Sequence, residues 1–118
     1  MTNKLLSTFC LIGVATMLYG VPPQTHRYSG EIMDSACAAQ GSHAAMMKQE
    51  GTTSHKDCTL ACVKAGSQLV LYNAANKRTY MLDDQTKATE YAGDKVTVTG
   101  SYDAAGKTIH VSKISRKS

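Results

Sequence analysis

DQTKATEYAGDKVTVTGSY, residues 84–102, holds two different sequence periods side by side. Its first half is polar and Ala-containing, opens on Asp84 and closes on Gly93. An Asp start and a Gly stop are the end signals of a short helix, expected here over Asp84–Ala92. Its second half changes period: from Lys95 to Tyr102 apolar and polar residues alternate, with Val96 and Val98 on one face. That alternation predicts a half-buried strand. A loop, DAAGK, then leads into Thr108–Ile114, where Ile109 and Val111 share a face. The pair reads as a β-hairpin.

Working upstream, Gln68–Tyr72 and Thr79–Leu82 form a second hairpin around NAANKR. A first strand is expected over Tyr28–Met33, with Gly30 marking a bulge or a close backbone approach. Between the first and second strands lies a polar insert, residues 34–66. The order is strand, insert, strand, strand, helix, strand, strand. Five strands with a helix between the third and fourth is the order of a small OB-like β-barrel. The expected fold is therefore mainly β with short helices, over residues 28–118.

The N-terminus reads differently. Lys4 is the only charge before Arg27, and Leu5–Tyr19 is apolar apart from small polar residues. A short basic start followed by an apolar run is the pattern of a signal peptide, assigned to residues 1–20. Residues 21–27, with Pro22 and Pro23, read as a flexible lead-in. The expected location is periplasmic or secreted, with membrane association only through an uncleaved signal segment. The whole chain has thirteen Lys and Arg against nine Asp and Glu, a net charge of +4. No basic block alternates with aromatics, and there is no Trp, so a nucleic-acid partner is not expected. Tyr28, Tyr72, Tyr80, Tyr91 and Tyr102 read as half-buried strand residues instead. A ligand or protein partner on the barrel face fits the fold, and no residue specifies which.

The chemistry-bearing residues gather in the insert. After removal of the signal the cysteines are Cys37, Cys58 and Cys62. An odd number outside the cytoplasm implies one disulfide plus a spare thiol, a bond between chains, or a metal site. Two helices fit the segment: one from Ser42 through Glu50 to Gly51, the other from Ser54 or Asp57 to Gly66. On the second, Cys58, Ala61, Cys62 and Ala65 are spaced to share a face. Cys37, Cys58 and Cys62 with His43 form a candidate zinc set, with His55 the alternative fourth ligand. Copper, as Cu(I), suits the same thiolates, with Met33, Met46, Met47 and Met81 nearby in the sequence pattern. The competing arrangement is a structural disulfide from Cys37 to Cys58 or Cys62. A Cys58–Cys62 bond is least favoured, because one helical turn strains it. The redox motif Cys-x-x-Cys is absent, and no Ser/His/Asp set, Gly-rich phosphate loop or paired-carboxylate arrangement stands out. The chain is expected to be non-enzymatic.

GEIMDSAC (30–37), DCTLACVKAG (57–66) and YAGDKVTVTG (91–100) together resemble a family of small secreted bacterial proteins of unknown function. The similarity spans nearly the whole region after the signal. It implies an OB-like barrel with a D-x2-C…D-C-x3-C insert; the family places a His shortly after its first Cys, and the matching His43 lies somewhat further along. It implies no activity.

Overall fold

A computed structural model describes residues 22–118, with Gly13 and Gly20 as isolated positions. The targeting segment expected over residues 1–20 otherwise lies outside the described residues. Five strands carry the fold: β1 (Thr25–Asp34), β2 (Leu69–Asn73), β3 (Arg78–Leu82), β4 (Lys95–Asp103) and β5 (Thr108–Arg116). They close into a ring in the order β1-β2-β3-β5-β4. All neighbours are antiparallel except β3 and β5, whose short parallel pairing (Met81 with Thr108, Leu82 with Ile109) shuts the barrel. This is the mainly-β, OB-like architecture the element order predicts. Among the described residues no helix is long and apolar enough to cross a membrane.

β1 starts earlier than expected. Thr25, His26 and Arg27 pair with Ser101, Gly100 and Thr99 of β4, so the last three residues of the expected lead-in are strand. Only residues 22–24 remain as lead-in, held out of strand by Pro22 and Pro23, which lack the N–H a ladder needs. Gly30 marks a close approach and not a bulge: a Cβ there would lie 2.5 Å from the Tyr72 carbonyl oxygen. The bulge sits on β5 instead. Thr99 pairs with Lys113 and Gly100 with Val111, which leaves Ser112 unpaired. One extra residue shifts the inward parity, so Ile109 and Ile114, five apart, both point into the barrel.

The barrel interior holds Ile32, Leu69, Leu71, Leu82, Val96, Val98, Ile109 and Ile114. Each such side chain contributes roughly 1.5–3 kcal/mol when fully buried. α4 (Gln85–Thr89) closes one end with Ala88. Asp84 caps it by accepting the Lys87 N–H at 2.9 Å. The Gln85 amide extends the ladder: Oε1 accepts from Leu69 N–H and Nε2 donates to the Leu69 and Leu82 carbonyls. Tyr28, Tyr80 and Tyr102 cluster at 5.2–6.3 Å between ring centroids, with Tyr28 and Tyr102 half-buried on their strands as expected and Tyr80 buried, whereas Tyr91 lies in the turn after α4 and not in a strand.

A second core lies outside the barrel. Successive β-strand residues face opposite sides. So while Ile32 and Leu71 point inward, Met33, Val70 and Tyr72 point out, and all three are buried. The insert covers them with α1 (Ser35–Gln40), α2 (Ala44–Glu50) and α3 (His55–Lys64). The helix from Ser42 is shorter than expected: His43 occupies its cap position and helical residues begin at Ala44.

Candidate metal centre

Asp34 ends β1 and starts the insert. Its Oδ2 accepts the Cys37 N–H at 2.9 Å, capping α1, which turns off through Gly41 in the left-handed region. That helix brings Cys37 back over the outer face of β1. Sequence patterning missed α1 because its six residues are too few to show a period. The Asp-x-x-Cys spacing is the signal that marks it. α3 is capped as expected, with Ser54 Oγ accepting the Asp57 N–H. Its buried side differs from the expected face: Cys58, Thr59 and Cys62 are buried, while Ala65 is exposed. The helix touches both cores at once, since the thiols face the insert and Val63 packs on the barrel interior.

Cys37, Cys58 and Cys62 are free, buried thiols. Their sulfurs all lie within 4.8 Å of one another. No disulfide joins them in the structure. Met33 is packed with them, and Met46, Met47 and Met81 border the same cluster. Burial, then the neighbouring Asp34 and Cys58, pushes the Cys62 thiol up from 9.0 to about 11. Burial, then a hydrogen bond with Asp34, pushes Cys37 up as well. Asp34 is itself fully buried. Among the described residues it enters no ion pair, and its Oδ1 has no hydrogen-bond partner of good geometry, although the Cys37 and Cys62 thiols face the carboxylate. A buried polar oxygen without a matched donor costs stability.

The Cys37 and Cys62 thiols set a pH dependence. With raised folded values, the folded chain keeps protons that the unfolded chain gives up. Stability is therefore fully present below about pH 9 and falls as pH rises through the folded values. Denaturant unfolding of metal-free, reduced protein at pH 7.5 and pH 10.5 is expected to show a loss of about 2 kcal/mol from Cys62. An unchanged midpoint contradicts the burial of the thiols.

The two candidate histidines do not join the thiols as one four-membered set. His43 is buried at 3 % exposure and groups with Asp34 and Cys37. His43 and His55 also form a separate group with Glu31, a residue that no motif or spacing singles out. His43 Nε2 is 3.1 Å from Glu31 Oε2, and His55 Nδ1 is 2.7 Å from Glu31 Oε1. The two rings are 4.4 Å apart between centroids. This group lines a cleft of about 510 Å3 with Met33, Met47 and Tyr72. His26 sits on β1 and His110 pairs with Asp83, both away from the thiols. Comparison with protein-family models, with curated proteins and with solved structures gives no match.

Proposed function

We propose that this chain is an exported, non-enzymatic domain that holds one thiophilic metal ion, zinc or Cu(I), on the thiolates of Cys37, Cys58 and Cys62. The observation that carries the reading is the mutual reach of three buried sulfurs. A zinc–sulfur bond of about 2.3 Å puts tetrahedral sulfurs roughly 3.8 Å apart. Sulfurs already within 4.8 Å need only small side-chain shifts to meet that spacing. The bordering methionines give the site a soft, apolar wall. Binding exchanges thiol protons for the ion and supplies a positive centre beside the unmatched Asp34. Zinc takes a fourth ligand; with His43 Nε2 turned to Glu31, the Asp34 carboxylate beside Cys37 and Cys62 is the neighbouring donor for that position. The basic and apolar N-terminus supports export, and the insert motif supports membership of the secreted family it resembles.

The same proximity serves the competing reading, a bond from Cys37 to Cys58 or Cys62, so the test must count thiols and metal together. Protein purified from the periplasm without added metal is denatured in chelator, its thiols are titrated, and its metal is measured by mass spectrometry. At least one equivalent of zinc or copper with three reactive thiols is expected. No metal and a single reactive thiol rejects the metal reading in favour of the disulfide.

A further inference from the structure

Glu31, His43 and His55 stand apart from the thiols in chemistry and exposure. Two imidazoles direct a ring nitrogen each at one carboxylate, at 3.1 Å and 2.7 Å. No Lys or Arg pairs with Glu31 among the described residues. We propose that these three residues form a second cation site, independent of the thiol reading, for a borderline divalent ion such as Zn(II), Co(II), Ni(II) or Fe(II).

Three observations lead there. The first is the donor set. Two imidazoles and a carboxylate with positions left open suit such ions, whereas soft ions favour the thiols. Metal–nitrogen and metal–oxygen bonds near 2.1 Å put adjacent octahedral ligands roughly 3.0 Å apart. The two nitrogen–oxygen distances bracket that value.

The second is the unmatched chemistry of His43. Its Nε2 faces Glu31, while Nδ1 is buried with no hydrogen-bond partner. A neutral ring that donates from Nε2 presents Nδ1 as a bare acceptor. The nearby Asp34 Oδ1 is an acceptor without a partner too. When an ion takes Nε2, the ring proton moves to Nδ1, which becomes a donor. An Asp34 carboxylate oxygen and a His43 ring nitrogen lie within 4.8 Å. Metal-bound His commonly gives its other N–H to a carboxylate in this way. Cation binding thus supplies the donor that the ion-free arrangement lacks.

The third is access. The His55 side chain is 51 % exposed and Glu31 16 %, against 2 % for His43. The group opens onto the cleft, with Lys95 and Lys117 among its lining residues. An ion bound here keeps positions for water or for a small anionic ligand.

Co(II) separates this site from the thiols, because thiolate ligation gives an intense near-ultraviolet charge-transfer band and imidazole–carboxylate ligation does not. Reduced full-length protein is titrated with Co(II) by calorimetry and absorbance. Two equivalents are expected, one with the band and one without. His55→Ala, at the exposed start of α3, is expected to weaken only the band-free equivalent, by ~10-fold or more. Glu31→Gln, which keeps the side chain's shape, should do the same. Cys58→Ser should remove the band and keep the other equivalent. A band-free equivalent unchanged in both His55→Ala and Glu31→Gln, or absent from the wild type, overturns the proposal. Loss of the band alone in the wild type, with a His55-dependent equivalent still present, rejects the thiol reading and leaves this site standing.

Discussion

Gly93→Ala is expected to destabilise the protein by about 3 kcal/mol and to pull the Glu31–His55 pair apart. Two costs add at this position. Its φ of +79° lies in the left-handed region, where a Cβ costs roughly 1–2 kcal/mol. The new methyl would also sit 2.5 Å from the Lys56 backbone nitrogen and 2.8 Å from the His55 carbonyl carbon. Those are main-chain atoms in the first turn of α3, so no side chain can swing aside. Overpacking of this kind costs roughly 1–3 kcal/mol. Gly93 cannot retreat easily either, because its N–H donates to the Ile32 carbonyl at 2.8 Å and the Ile32 N–H donates to Asp94. The turn before β4 is thus clamped to β1 on one side and carries the start of α3 on the other. A shift of α3 moves His55, whose ring is held 2.7 Å from Glu31. Thermal unfolding should show a fall in Tm of roughly 12 °C or more. Co(II) titration of the folded variant should show a weaker band-free equivalent. A variant with wild-type Tm would mean that α3 does not rest on this turn.

The sequence signals were clearest where period and punctuation coincide. Val96 and Val98 alternate in a strand buried on one face, and Asp84 and Gly93 bracket the helix and turn before it, so the element order and the OB-like ring were readable. The cysteines were readable as a group because α3 fixes Cys58 and Cys62 at one-turn spacing. What was hidden depends on contacts between distant segments. Ser112 looks like any polar strand residue; its bulge exists only because β4 and β5 must curl around one barrel. The outward burial of Met33, Val70 and Tyr72 depends on the insert folding back over β1 and β2. Glu31 was hidden for the same reason. An acidic residue in a strand reads as solvent-facing, and its partners are 12 and 24 residues away. The expected face through Ala65 failed because α3 packs on two cores, which turns Thr59 inward.

Cys58→Ser is expected to abolish the stabilisation that Cu(I) gives, and the thiol centre's share of that from zinc, while leaving a folded protein. An ion bound only by the folded state stabilises it by an amount set by mass action, ~4 kcal/mol at a thousand-fold excess over Kd. For a domain of this size that is a Tm gain of roughly 16 °C or more. Removal of one of three sulfurs leaves two, since Ser is neither soft nor readily deprotonated, and the gain should vanish. The metal-free cost is a separate and smaller quantity. Cys58 is fully buried, and its hydroxyl replacement carries a desolvation cost of roughly 1–3 kcal/mol. The informative number is therefore the difference in Tm with and without metal, measured in each protein under reducing conditions. Cys58→Ala gives the matching control, because it removes the sulfur without adding a polar group. Both variants should show no metal-dependent shift from the thiol centre, although their metal-free Tm values differ. His55→Ala should retain the full zinc or Cu(I) shift attributable to the thiols. A metal-dependent gain that survives Cys58→Ser at wild-type size would show that the ion does not sit on the three sulfurs. The buried cluster would then be a packed apolar contact, with Cys58 filling space between α3 and Met33 as any small hydrophobic side chain would.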